Sequence, residues 1–193
     1  MSSATDDEDR FRRVYGDNFP LLLAYAVRRV EQPEDAADVV AETFLTAWRR
    51  FRELPPDPEV RLWLYGVARR VLANHHRGGA RRERLGERLG DRLRQRLTDV
   101  FASSDPGVEV PERIVVRQAL ARLSEPDREV LMLTAWEGLE PREVATVLGI
   151  GASAVRTRLS RARARLRELT GDDLAPPGHE LGVLTLPVPK EAR

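Results

Sequence analysis

A chain of 193 residues, 41% hydrophobic and 33% charged, can build one domain or two small cores. It holds no run near the ~20 apolar residues a membrane helix needs. Its acidic, polar first ten residues lack the basic-then-apolar order of a secretion signal, and the absence of cysteine excludes disulfides and thiolate metal sites. The expectation is a cytoplasmic protein without membrane insertion. His75, His76 and His179 make a poor metal cluster, so neither metal nor cofactor is expected.

The formal net charge of +1 conceals an asymmetry. Asp6, Asp7, Glu8 and Asp9 form an acidic tip, whereas residues 77–97 carry eight Arg against three acids and residues 152–168 six Arg against one. Two basic segments in a neutral chain point to local polyanion contacts; the plainer alternative is solvated helix faces. Of the 32 basic residues 31 are Arg, Lys190 being the exception. Arginine suits bidentate phosphate and guanine contacts, although a GC-rich genome produces the same skew.

In chain order, Asn18-Phe19-Pro20 predicts a break before a helix running to about Val30. Pro33 at a first helical position, followed by Glu34 and Asp35, opens a second helix that carries Val40, Ala41, Phe44, Leu45 and Trp48 on one side. Leu54-Pro55-Pro56-Asp57-Pro58 is a loop, with Asp57 the expected N-cap and Pro58 at the first helical position of a third helix. That helix should bury Trp63, Leu64, Val67, Ala68, Val71 and Leu72 and loosen at Gly78-Gly79. These elements make a first domain over residues 8–78. Residues 79–110 read as a flexible linker, helical in part: an imperfect repeat around Arg84-Leu85-Gly86-Glu87 allows i,i+3 ion pairs but contains glycines.

A second helical unit spans residues 111–170. Ile114, Val115, Leu120 and Leu123 line its first helix, and Ser124 with Asp127 suggests a capping box before Val130. Gly138 ends the next helix, and a short helix covers Pro141 to Leu148. Gly149-Ile150-Gly151 turns the chain, and a long basic helix runs from Ala152 to Leu169. The Pro- and Gly-rich residues 171–193 read as a disordered tail. The fold class is therefore all-α, two small helical domains joined by a flexible linker.

A short helix, a glycine-containing turn and a longer basic helix have the form of a helix-turn-helix. At 100° per residue, Val155, Leu159, Ala162, Leu166 and Leu169 share one stripe of the long helix. Opposite lie the small Ser153, Thr157, Ser160 and Ala164, with Arg156, Arg163 and Arg167 on one shoulder and Arg161 and Arg165 on the other. Small groups permit close approach to a DNA groove while arginines reach phosphates or base edges. Ser153, Arg156, Thr157 and Ser160 stand in the first turns, where base contacts fall.

Ala119-Leu120-Ala121-Arg122-Leu123, Pro126-Asp127-Arg128-Glu129-Val130-Leu131 and Val155-Arg156-Thr157-Arg158-Leu159-Ser160-Arg161-Ala162-Arg163 together resemble region 4 of sigma-70 family factors. Asp35-Ala36-Ala37-Asp38-Val39-Val40-Ala41-Glu42-Thr43-Phe44-Leu45-Thr46-Ala47-Trp48 and Trp63-Leu64-Tyr65-Gly66-Val67-Ala68-Arg69 resemble region 2. The order and spacing are those of the extracytoplasmic-function (ECF, group 4) branch, which keeps only these two regions.

The resemblance implies a non-enzymatic RNA polymerase sigma factor with no catalytic residue. It implies that Asp38, Glu42, Thr43, Phe44 and Trp48 bind core polymerase at the β′ clamp, Phe44 and Trp48 also serving as core, and that the β flap is a further polymerase contact. It assigns Trp63, Arg69, Arg70, Asn74 and Arg77 to the −10 element, with core the competing role for Trp63, and the loop from Leu54 to Pro58 to a flipped base. It assigns Ser153, Arg156, Thr157, Ser160, Arg161 and Arg163 to the −35 element, and it implies an anti-sigma factor as partner. Arg70 stands where asparagine is common, Gly151 replaces a serine N-cap, and Ala152 and Ala154 replace polar residues, so no particular promoter sequence carries over. The alternative from the residues alone is a stand-alone helix-turn-helix regulator, which accounts for the C-terminal half but not for the aromatic, acidic-edged helix at 34–53.

Overall fold

The computed structural model describes residues 2–30, 32–57, 59–77 and 111–170, with backbone alone at 2–5, 33, 76, 77, 111–114 and 117. The linker repeat, the tail, Pro58 and the side chains of Arg77, His76 and Ile114 lie outside the described residues. All regular structure among those residues is helical, in two units.

The first unit contains α1 (Ser2–Val27), α2 (Pro33–Arg49) and α3 (Val60–Arg77), each packed on the other two. The expected break at Asn18-Phe19-Pro20 does not occur: α1 runs through Pro20. A proline inside a helix removes one N–H and crowds the carbonyl four residues back. Here that carbonyl belongs to Gly16, and both Gly16 and Pro20 are on an exposed side where water can take up the unmet acceptor. The opposite side buries Val14, Leu22, Leu23 and Ala26, which holds the helix together across the defect. Asn18 contributes as well, its buried Nδ2 donating to the Val14 carbonyl at 2.8 Å.

An aromatic seam joins α1 to α2. Phe11, Tyr15 and Phe19 recur at four-residue spacing and meet Phe44 and Trp48, with ring centroids 4.6 Å apart for Tyr15–Phe44 and 4.9 Å for Phe11–Trp48. Tyr25 and Tyr65, both fully buried, join α1 to α3 at 5.1 Å. The third helix begins at Val60, two residues beyond the expected Pro58, with the Glu59 carbonyl accepting from the Trp63 N–H at 3.1 Å.

The second unit contains α4 (Pro111–Ala121), α5 (Glu125–Ala135), α6 (Pro141–Leu148) and α7 (Ala152–Thr170). α7 packs on α5 and α4. On α4 the buried line is Ala119, Leu120 and, just past the helix, Leu123, with Val116 half-buried a turn earlier; Val115, expected inside, is rotated away and 37% exposed. Ser124 caps α5, its Oγ accepting from the Asp127 N–H at 3.4 Å and donating to Asp127 Oδ2 at 2.8 Å. At α6 the N-terminal cap is Glu140, whose N–H donates to Glu143 Oε2 at 2.8 Å around Pro141.

α6 ends in a left-handed Gly149 (φ 65°), with the Ile150 N–H donating to the Ala145 carbonyl at 3.1 Å. That five-residue bond closes a Schellman turn and redirects the chain into α7 within three residues. The prediction for this fold concerns α1: Pro20→Ala restores a donor for Gly16 and should raise the stability of the chain by about 1–3 kcal/mol, read from the urea midpoint, with no change in helix boundaries.

Candidate functional site

The stripe that fixes α7 is Val155, Leu159, Ala162 and Leu166, all buried. Their spacing of four, three and four residues leaves Ser153, Arg156, Thr157, Ser160, Arg161 and Arg163 exposed. Thr157 Oγ1 donates back to the Ser153 carbonyl at 3.0 Å, which fixes its rotamer on the outer face. The first turn of α7 carries no acidic residue, so nothing there opposes an anion beside the helix N-terminus.

Pro141, Arg156, Leu159, Ser160, Arg163, Ala164 and Arg167 line a concavity of about 460 Å³. Three guanidinium groups at four- and seven-residue steps thus border a floor of small side chains. On the other shoulder Arg165 is paired with Glu168 at 2.7 Å. The arrangement can bind a phosphate-lined groove and reach into it.

On α3, Arg69, Arg70 and Asn74 are exposed. Trp63, Arg70 and Asn74 stand at i, i+7 and i+11 and share one edge of the helix. Trp63 is half-buried, and the Arg50 guanidinium lies over its ring at 5.8 Å. Arg50 in turn donates from Nε to Glu53 Oε2 at 2.9 Å, with a second bond from Nη2. That hydrogen bond holds the Glu53 carboxyl below its usual range and raises Arg50. His75 Nε2 sits 3.1 Å from Asp35 Oδ1, and the nearest side-chain atoms of Asp35, Asp38 and His75 lie within 4.8 Å of one another. His75 thus faces carboxylates of α2, a neighbourhood the spacing of histidines in the sequence did not foretell.

On α2, Asp38 and Glu42 are exposed one turn apart, and Glu42 reaches Arg49 at 4.0 Å. Trp48 is 48% exposed at the rim of the aromatic seam, its ring against Phe11 and Phe51. Leu45, placed on the inner side by its period, is 41% exposed on the same face as Asp38 and Glu42. Thr43 and Phe44 are buried instead: the Thr43 hydroxyl donates to the Val39 carbonyl at 2.7 Å, and Phe44 fills the aromatic seam. This part of the expected docking set divides into an outer pair, Asp38 and Glu42, a half-exposed Trp48 at the seam's rim, and an inner support of Thr43 and Phe44.

Residues 14–82 match the family described as Sigma-70 region 2, and residues 113–166 match Sigma-70, region 4. The chain belongs to the ECF branch of the sigma-70 family. The RNA polymerase sigma factor CnrH of Cupriavidus metallidurans is 35% identical over 167 residues, 79% of this chain and 83% of that one. The ECF RNA polymerase sigma factor SigL of Mycobacterium tuberculosis is 31% identical over 166 residues, 81% and 86% of the two chains. The structure of CnrH in complex with the cytosolic domain of CnrY covers 89% of this chain and 94% of its own, with a TM-score of 0.60 and 27% identity. RpoE from Bartonella quintana, solved with the anti-sigma factor NepR, shares the fold at a TM-score of 0.59 and 22% identity over 83% of this chain and 96% of that one.

As a sigma factor the chain is a non-catalytic subunit of RNA polymerase, binding core polymerase and promoter DNA. The region 2 match explains the half that a stand-alone regulator leaves unexplained. No helix among the described residues is long and apolar enough to cross a membrane. The division on α2 has a measurable consequence. Phe44→Ala should cost about 3–5 kcal/mol of stability, whereas Trp48→Ala, removing a half-exposed ring, should cost no more than about 1–2 kcal/mol; chemical denaturation of the two variants separates them.

Proposed function

We propose that this ECF sigma factor acts in the cytoplasm, places α7 in the major groove of a −35 element, and traps an opened −10 element on α3. The observation that carries this reading is the composition of the outer side of α7, where small residues in the middle and arginines on the shoulders stand opposite a fully buried stripe. Ser153, Arg156, Thr157 and Ser160 then read bases, and Arg161 and Arg163 hold phosphates. Trp63, Arg69, Arg70, Asn74 and Arg77 hold the displaced −10 strand, with the loop from Leu54 to Pro58 against the extruded base. Unstacking a base costs a few kcal/mol, offset by these contacts.

Asp38, Glu42 and Trp48 dock on the β′ clamp, held from beneath by Thr43 and Phe44, and the C-terminal unit meets the β flap. Residues 8–78 and 111–170 act as separate modules, 79–110 as their linker and 171–193 as a tail. An anti-sigma factor completes the partners; the support is that similar sigma factors were solved in complex with a second chain, CnrH with the cytosolic domain of CnrY and RpoE with the anti-sigma factor NepR.

Run-off transcription with purified core polymerase on a library of GC-rich fragments tests the whole reading. New start sites should appear with this protein and vanish in the Asp38→Arg/Glu42→Arg variant while duplex binding by the C-terminal unit persists. Tight specific duplex binding without core association would instead favour the stand-alone regulator. The two arginine roles separate by salt. Arg163→Ala should lower the slope of log affinity against log salt by about 0.9, the value of one phosphate contact. Arg156→Ala should cost about 1–3 kcal/mol on the preferred −35 sequence and relax its discrimination.

A further inference from the structure

The loop between α2 and α3 has a shortage of donors. Leu54, Pro55, Pro56, Asp57 and Pro58 include three prolines, so five residues supply only two backbone N–H groups, those of Leu54 and Asp57. The Leu54 N–H is already committed to the Phe51 carbonyl at 3.2 Å, closing the 3-10 turn Phe51–Glu53. The Pro56 carbonyl accepts from the Glu59 N–H at 2.9 Å. The carbonyls of Leu54 and Pro55 are therefore left to find a donor elsewhere, and Leu54 is buried.

That donor comes from α1, more than forty residues earlier. Arg10 Nη2 donates to the Pro55 carbonyl at 2.9 Å and to the Leu54 carbonyl at 3.4 Å. Its guanidinium lies over the Phe51 ring, 5.3 Å from the centroid. One planar cation thus grips the aromatic before the loop and the first two carbonyls within it. Arginine fits both demands, because its planar fork stacks on a ring and still directs N–H groups in the plane. The prolines add stiffness, so a clamp at the loop entry sets the direction of its tip at Asp57.

We infer that Arg10 is a positioning residue for base selection in the −10 element: it touches no DNA itself but fixes the entry of the Leu54–Asp57 loop. This rests on the proposal that the loop holds an extruded base. Losing Arg10 leaves two carbonyls to be met by water and lets the loop tip wander, so discrimination between bases falls more than binding does. The contacts on α2 and α7 are untouched.

The test is run-off transcription by reconstituted holoenzyme on templates with the −10 element randomised and an active −35 element held constant, read by sequencing the transcribed templates. Wild type, Arg10→Ala, Arg10→Lys and Asp57→Ala are compared, with core association and thermal unfolding measured on each. The expected result is a preference of about tenfold or more for one base at a −10 position in wild type, falling below about twofold in Arg10→Ala and in Asp57→Ala. Arg10→Lys, which can donate but stacks less well, should recover part of it, with core association unchanged throughout. If Asp57→Ala flattens the preference and Arg10→Ala does not, the loop reading stands and the role of Arg10 is overturned. Uniformly reduced transcription in Arg10→Ala with an intact preference also overturns it, since that is the mark of a merely structural residue. If neither variant alters base preference, the loop reading fails and takes this inference with it.

Discussion

Each functional helix of this sigma factor is tied to its unit by one apolar stripe, and the 3.6-residue period then decides what the remaining faces present. On α7 the burial of Val155, Leu159, Ala162 and Leu166 leaves the helix little freedom to rotate without exposing them. The arginines are accordingly held outward by hydrophobic packing on the other side, not by pairing among themselves. On α2 the same constraint sends Thr43, Phe44 and Ala47 inward and Asp38, Glu42, Leu45 and Trp48 outward. A one-residue rotation of either helix would exchange core for surface, so the stability of the fold and the identity of the interface are set by the same packing.

The short connections carry a second constraint, backbone hydrogen bonding. Between α6 and α7 it is met locally: left-handed Gly149 lets Ile150 close on Ala145, and the two helices of the motif are joined without outside help. Between α2 and α3 local satisfaction is impossible, because prolines remove the donors and a side chain from α1 must supply them. One junction is self-contained and the other depends on a distant residue. The difference follows from whether the loop is punctuated by glycine or by proline.

The elements most legible in the sequence were those with both a period and a stop signal. Pro141 and Gly149 bound α6, and the extent of α7 was readable to within one residue, Leu169 against Thr170, although its buried stripe stops at Leu166. The outer residues of α7 were legible for the same reason, since a strongly periodic helix assigns every side chain a face. The failures occurred where tertiary packing overrode a local signal. Pro20 reads as a breaker, yet burial on the far side of α1 carries the helix through it. Leu45 and Val115 read as core, but each sits at the edge of its stripe, where about 100° of rotation separates inside from outside. Phe11, Tyr15 and Phe19 do recur at four-residue spacing, but the assumed break divided the pattern that would have revealed the aromatic seam. Arg10 could not have been found from spacing at all. Its role is a long-range hydrogen bond, and only the donor-poor composition of Leu54 to Pro58 hinted that some residue must supply one.

Charge distribution governs how a chain with one strongly basic helix meets nucleic acid. The whole chain is nearly neutral at +1, although α7 alone carries six arginines against one glutamate. At physiological salt, charges are screened beyond about 8 Å, so the arginines of α7 act on a phosphate in contact while the remainder of the chain, in which acids outnumber bases, supplies no long-range attraction. Affinity for a lone −35 duplex then rests on a few contacts, each weakened further by salt. Melting at −10 adds an unstacking cost that those contacts do not meet. A second tether is needed, and core polymerase provides it by holding both regions over one promoter, which converts two weak encounters into a single intramolecular one. Under the proposed placement of α7, near-neutrality favours dependence on polymerase: local charge holds DNA at contact, and the chain as a whole adds no attraction of its own.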